Sequence, residues 1–167
     1  MPRPRPLSLD ALDHKLLACL QEDAGRTLYA LGEAVGLSPS AVQRRINRYR
    51  AAGLIARQVA VLDAEAVPGT VLAAVMVTLR AESSQQHRAF QRRMREAPEV
   101  QQCYSLAGER DYFIIVVAAG LREVRDAVDR LFMDDANVKR YSTHIVFDVV
   151  KASLQIPTAT VSTPRGR

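Results

Sequence analysis

Between Pro39 and Ala51 the sequence runs PSAVQRRINRYRA. At helical spacing Ser40, Gln43, Arg44, Asn47 and Arg48 share one side, and Val42, Ile46 and Tyr49 share the other. Gln carries a donor and an acceptor in one plane, and Arg carries a rigid fork of donors. Two-pronged groups of this kind match base edges in the DNA major groove, Gln pairing with adenine and Arg with guanine. Ser40, Gln43 and Arg44 lie early in the helix and are the candidates for base edges. Asn47 and Arg48, about a turn further on, are the candidates for phosphates. Arg45 lies nearer the apolar side, where pairing with an acid competes with DNA contact. The plainer alternative for the whole stripe is a solvated helix face.

No other chemistry is spelled out so clearly. The histidines His14, His87 and His144 are dispersed without metal-ligand spacing, and Cys19 and Cys103 sit inside apolar segments. No nucleophile elbow, phosphate loop or carboxylate pair is present, so the reading is not an enzyme, with no metal and no cofactor. Reduced cysteines, the absence of an apolar run of about 20 residues and a start (MPRPRP) unlike a signal peptide suggest a cytoplasmic protein without a membrane partner, nucleoid-associated if the polar stripe meets DNA.

The elements around the polar stripe follow from its flanks. Gly36 permits a sharp turn, Leu37 plugs a core, Ser38 is an N-cap, and Pro39 fits the first helical position. Ser38, at the cap, joins the candidates for DNA contact. Upstream, Leu9, Leu12, Leu16, Leu17 and Leu20 recur at helical spacing, with Asp10 and Asp13 in the first turn. Thr27 caps a second, short helix carrying Leu28, Leu31 and Val35. A short helix, a tight glycine turn and a helix with a basic exposed face make a helix-turn-helix. After Gly53, Leu54-Ile55 and Val59-Ala60-Val61 suggest two short strands, a wing carrying Arg57. Charge agrees: residues 1–60 hold nine basic and five acidic residues, whereas residues 61–151 hold twelve and thirteen. Basic character thus gathers where nucleic acid would be met. Arg3 and Arg5, in an arm spanning residues 1–8, would add only non-specific affinity.

The domain division is residues 9–62 for the winged helix-turn-helix, 63–69 for a linker, 70–152 for a second domain and 153–167 for a flexible, Thr- and Pro-rich tail. The second domain alternates strands near 70–80, 100–107, 112–119 and 140–150 with helices at 84–95 and after Gly120, where Leu121, Val124 and Leu131 point inward. That order, βαββαβ, is ferredoxin-like, and the fold class is α+β. In such a fold both helices cover one face of the sheet, and the other face normally meets water. Here Leu72, Ala74 and Met76 make that face apolar as well, and Tyr112–Ala119 is apolar on both sides. A second copy packed about a two-fold axis is the simplest cover, giving a homo-oligomer. The alternative cover is the helix-turn-helix domain folding back. Arg88, Arg92, Arg93 and Arg95 on the first helix of this domain are a solvated face or a second surface for wrapping DNA.

From Leu9 to about Lys151 the chain resembles the Lrp/AsnC family of feast/famine regulators. The resemblance rests on Leu9-Asp10 with Asp13, LGEAVGLSPSAVQRRINRYRAAGLI (31–55), PEV (98–100), CYSLAGERDYFIIVV (103–117) and VKRYSTHIVFDVVK (138–151). It implies a transcriptional regulator that binds double-stranded DNA as dimers, often assembled into tetramers or octamers, and often responsive to an amino acid. The implied effector site, between dimers at the turn after the second strand, maps onto Gly108, Asp111 and Tyr112, with Thr143 of the last strand beside them. Ala107 departs from the threonine frequent before that glycine. Without the resemblance, 108–112 would read as a plain hairpin turn. Siroheme decarboxylases share this architecture, and an effector-free nucleoid protein would share the fold and the polar stripe.

Overall fold

The computed structural model describes residues 7–64, 66–81 and 83–158. Arg3 and Arg5 of the arm, and the tail beyond Thr158, lie outside the described residues. The chain divides into two compact units: residues up to Ala60 together with the segment from Lys151 onward, and Val61–Val150.

The first unit is built on α1 (Ala11–Glu22), α2 (Leu28–Val35) and α3 (Pro39–Ala51). Asp10 and Asp13 close a reciprocal capping box at the start of α1: Asp13 N–H donates to the Asp10 carboxylate at 2.7 Å, and Asp10 N–H to that of Asp13 at 3.0 Å. Thr27 and Ser38 accept from Ala30 and Ala41 N–H, which fixes the starts of α2 and α3. The sharp turn between them depends on two glycines. Gly36 takes a φ of 74°, and a Cβ at Gly32 would stand 2.4 Å from the backbone oxygen of Leu37. Leu16, Leu17, Leu20, Leu31, Val35, Val42, Ile46 and Tyr49 form the core.

The expected wing strands do not form: Leu54–Thr70 contains no strand among the described residues. Leu54 and Ile55 N–H both turn back to the carbonyl of Tyr49, at 2.9 and 3.4 Å, so the end of α3 takes the donors a first wing strand would need. Ala56-Arg57-Gln58 offers no residue suited to a tight hairpin turn, and an isolated two-stranded ribbon is marginal. Val59, Val61 and Leu62 are left exposed.

The second unit carries β1 (Val71–Leu79), α4 (Ser84–Glu96), β2 (Val100–Ser105), β3 (Tyr112–Ala118), α5 (Leu121–Val128) with a π-helical turn Asp129–Met133, and β4 (Val138–Ile145). The sheet order is β2-β3-β1-β4 with every neighbour antiparallel, the ferredoxin-like arrangement. Ala73, Val75, Val77 and Leu79 of β1, with Tyr112, Ile114 and Val116 of β3, pack on Phe90 and Met94 of α4 and on Val124, Val128, Leu131 and Phe132. Two expectations are corrected. Leu121 lies outside this core, 62% exposed at the start of α5. The last strand also stops at Ile145 rather than near Val150. Ile145 pairs with Ala73, Val146 N–H reaches Leu72 O at 2.9 Å, and β1 begins at Val71, so residues past 146 meet no further strand. Phe147 is 100% exposed.

Ser153–Thr158, expected in a flexible tail, and Lys151 and Ala152, expected in the second domain, run in the first unit instead, with Gln155 and Ile156 hydrogen-bonded to Gln21 of α1.

Candidate functional site

Helix α3 presents two polar flanks on either side of its buried face. On the inner flank Arg45 donates to Asp10 at 2.9 Å and to Asp13, while Arg48 Nη2 straddles both oxygens of Asp13 at 2.7 and 2.6 Å. The hydroxyl of Tyr49 donates to the same carboxylate. Asp13 is 1% exposed, so one buried acid on α1 ties down three residues of the next helix but one. Burial alone would push the Asp13 carboxyl up. The Tyr49 hydroxyl, the Asp10 backbone N–H and the Arg45 and Arg48 guanidinium groups outweigh it and hold the carboxyl far below the usual carboxylate range. Arg45 is correspondingly raised, by Asp13 first and Asp10 second. Burial, and then the bond to Asp13, pushes the Tyr49 hydroxyl up. The competition for Arg45 is therefore resolved in this structure toward the acids.

The outer flank is left for a partner. Ser38, Ser40, Arg44 and Asn47 are exposed, and Gln43 is half-buried. Gln43 Nε2 donates to Asn47 Oδ1 at 2.8 Å, which aligns the two amides one turn apart and leaves the Gln43 Oε1 acceptor and the Asn47 NH2 donors facing no partner in this bond. Arg44 has no ion-pair partner among the described residues. Arg48 stands between the flanks: its side chain is 44% exposed, and both bonds to Asp13 use one terminal nitrogen. Arg57 is exposed in the segment after α3, outside any strand. α3 thus combines a locked inner flank with an open row of amide, hydroxyl and guanidinium groups.

The hairpin residues have less uniform surroundings. Gly108 is exposed, and a Cβ there would meet nothing within 4 Å. Asp111 is tied to two strands: its N–H donates to Val77 O at 2.9 Å, its carbonyl accepts from Leu106 N–H at 2.8 Å, and its Oδ2 accepts from Leu79 N–H at 2.7 Å. The β1–β3 pairing ends at Val77 and Tyr112, so the Asp111 carboxylate satisfies a Leu79 donor on that edge which the ladder no longer reaches. Tyr112 is 0% exposed on the helix-covered face. Its hydroxyl is bonded to His87 Nδ1 at 2.7 Å and accepts from Gln91 Nε2 at 3.2 Å. Thr143 is exposed on β4, opposite Val75 and separated from β3 by β1. Gly108 and Asp111 are therefore together, Tyr112 turns into the core, and Thr143 sits two strands away. The link between hairpin and β4 is instead the Arg140–Glu109 ion pair at 3.2 Å. Next in sequence to Leu79 and Asp111, Thr78 Oγ1 and Arg110 Nη1 are buried without a hydrogen-bond partner among the described residues.

Sequence reasoning missed Asp13 as a hub. Its signal was present in the Asp-x-x-Asp cap and in an arginine, Arg45, too close to the apolar side of α3 to stay unpaired. Among the described residues no grouping of His, Cys, Asp and Glu could hold a metal ion, and no helix is long and apolar enough to cross a membrane.

Comparison with known proteins places both units. Residues 9–50 match the AsnC-type helix-turn-helix domain, and residues 72–156 match the Lrp/AsnC ligand binding domain. An uncharacterised HTH-type transcriptional regulator of Sinorhizobium fredii is 34% identical over 151 residues, covering 90% of this chain and 89% of its own. The crystal structure of an AsnC family transcriptional regulator from Agrobacterium tumefaciens superposes with a TM-score of 0.83 at 28% identity, covering 92% of this chain and all of that one. A transcriptional regulator of Neisseria meningitidis, solved as a complex with L-methionine, gives 0.82 at 29% identity over 90% of this chain and 97% of its own.

Proposed function

Because this chain belongs to the Lrp/AsnC family of DNA-binding transcriptional regulators, we propose that two copies read a palindromic operator, one α3 in each half-site, and that a small amino acid at the β2–β3 hairpin modulates the binding. The observation that carries the DNA contact is the division of α3. The cation nearest the core is spent on Asp10 and Asp13, while Ser40, Gln43, Arg44 and Asn47 stand open on the far side. Arg44 and Gln43 read bases; Ser38, Asn47, Arg48 and Arg57 hold phosphates and set the register. Arg48 reaches a phosphate through the N–H groups not engaged by Asp13.

The dimer follows from the open face of the sheet. Leu72, Met76, Phe113, Ile115 and Val117 are only half-buried there, and Tyr104 is 46% exposed. A self-complementary apolar patch of this kind suits a two-fold axis, and such dimers build tetramers or octamers. The effector is an amino acid, the class represented by L-methionine in the Neisseria relative. Its carboxylate would satisfy Arg110 and the Thr78 hydroxyl, with the Gly108 backbone beside it. Its ammonium would meet the Asp111 oxygen that Leu79 leaves free. Thr143 and Tyr112 act more remotely, Thr143 from β4 and Tyr112 by holding β3 against α4. Such a protein works in the cytoplasm, on the nucleoid.

The test is a titration of labelled operator and scrambled duplexes with wild-type protein and Arg110→Gln, with and without L-methionine or a pool of amino acids. Operator preference that shifts with the amino acid in the wild type and ceases to shift in Arg110→Gln is the expected result. Equal affinity for both duplexes would contradict the operator reading, and an equal effector response in the variant would contradict the assigned carboxylate site.

A further inference from the structure

The segment after β4 returns to α1. Ile156 N–H donates to Gln21 Oε1 at 2.7 Å, Gln21 Nε2 donates to Ile156 O at 3.1 Å, and Gln155 Nε2 donates to Gln21 O at 3.3 Å. The Gln21 amide thus engages both backbone groups of one residue, as a neighbouring strand would, and the bonds span 135 positions of sequence. The contact is polar and incompletely packed. Leu154 and Ile156 remain 74% and 65% exposed, and a cleft of about 420 Å3 lies between the segment and His14, Ala18 and Gln21.

Chain connectivity gives this contact its consequence. The chain enters the second unit through residues 61–70 and leaves it through 146–150. Both connections meet the sheet at one corner, because Ala73 near the start of β1 pairs with Ile145 at the end of β4. The entry connection continues from α3, and the exit connection is fastened to α1. Two connections that leave adjacent strands therefore run to the reading unit, one into α3 and one into the segment bonded to α1. From Ile145 only five residues intervene before the strap begins at Lys151.

We infer that Gln21 is a positioning residue, and that Lys151–Thr158 is a strap fixing the orientation of the DNA-reading unit, so that a dimer accepts one separation of its two half-sites. This rests on the proposed palindromic operator. With the strap fastened, the reader is restrained at α1 as well as at α3; with it open, the reader turns about residues 61–70 alone. The bonds of Gln155 and Ile156 go to Gln21 of α1, not to α3, so releasing the strap changes tolerance of spacing rather than recognition within a half-site.

The experiment compares full-length protein with Gln21→Ala, Gln21→Glu and a chain ending at Lys151. Amide exchange at Ile156 is measured without DNA. Affinity is measured on operators recovered by selection with the wild type, with their half-sites moved apart or together by one to three base pairs. In the wild type the Ile156 amide should exchange at least tenfold slower than an open chain, and affinity should fall at least tenfold at three base pairs. Gln21→Ala and the shortened chain should lose the protection and flatten the spacing profile to within about threefold, with unchanged thermal unfolding of the helices. Gln21→Glu, which keeps the acceptor for Ile156 and loses the donor, should fall between. An unprotected Ile156 amide in the wild type, or spacing profiles that coincide for all four proteins, would overturn the strap. A wild-type protein that selects no operator would instead remove the reading on which it rests, and would show before any substitution is made.

Discussion

At the scale of single residues, α3 is two surfaces with different purposes. Arg44 is the exposed fork with no acid beside it, and Arg44→Ala should reduce operator-over-random discrimination by roughly 1–3 kcal/mol. Fluorescence anisotropy on the two duplexes checks this, and an equal loss on both would reassign Arg44 to a phosphate. Asp13 has the opposite purpose. Removing a buried charge partner commonly costs about 3–5 kcal/mol, but Arg45 and Arg48 are 19% and 44% exposed and can turn to water, so Asp13→Asn should cost about 2–3 kcal/mol in denaturant unfolding. Its pH dependence has a defined sign. The folded carboxyl sits below its unfolded value near 3.9, so its contribution is complete above about pH 4 and is lost as pH falls toward the depressed value. The first unit should therefore weaken on acidification below pH 4 in the wild type, and by less in Asp13→Asn. The caps at Thr27 and Ser38 and the turn at Gly36 were legible in the sequence because their partners lie within four residues. Asp13 was not, because an acid in a first turn reads as complementing the helix dipole, and its partners lie 32 to 36 positions away.

Elements were legible where their stabilisation is local and obscure where it needs a neighbour. The three helices of the reader and the βαββαβ order follow from periodicity, because each element buries a face its own sequence spells out. The wing and the end of β4 do not follow. Val59–Val61 and Val146–Val150 have strand composition, but a strand exists only where another offers its hydrogen-bonding edge, and β1 starts only at Val71. The hairpin's proposed part in effector binding comes from the resemblance alone, and Asp111 reveals its tie to Leu79 only once the β1–β3 pairing is seen to end at Val77. Asp111→Ala should orphan the Leu79 N–H at a cost of about 1–3 kcal/mol, visible as faster amide exchange at Leu79 and in the β2–β3 turn. Unchanged exchange there would deny the staple. In the first unit, Gly32→Ala forces a Cβ to 2.4 Å from a backbone oxygen and should destabilise the turn by about 2–3 kcal/mol. Helical circular dichroism and operator affinity should then fall together, because α3 starts from that turn.

For the whole molecule, symmetry joins reader and sheet. A palindrome is read only if two α3 helices are held in fixed relation, and the half-buried face of Leu72, Met76, Phe113, Ile115 and Val117 is the surface proposed to hold them. Ile115→Arg should place a charge in that face and yield monomers by sedimentation, with operator affinity reduced at least tenfold; unchanged mass would move the interface elsewhere. The most direct measurement is selection of binding sites from random duplexes by the purified full-length chain, run in parallel with Arg44→Ala. Recovery of a recurring palindrome by the wild type, with enrichment lost in the variant, is the predicted result. Recovery of no common site by the wild type, or the same site with the same enrichment by both proteins, would contradict the assignment of α3 as the reader of sequence.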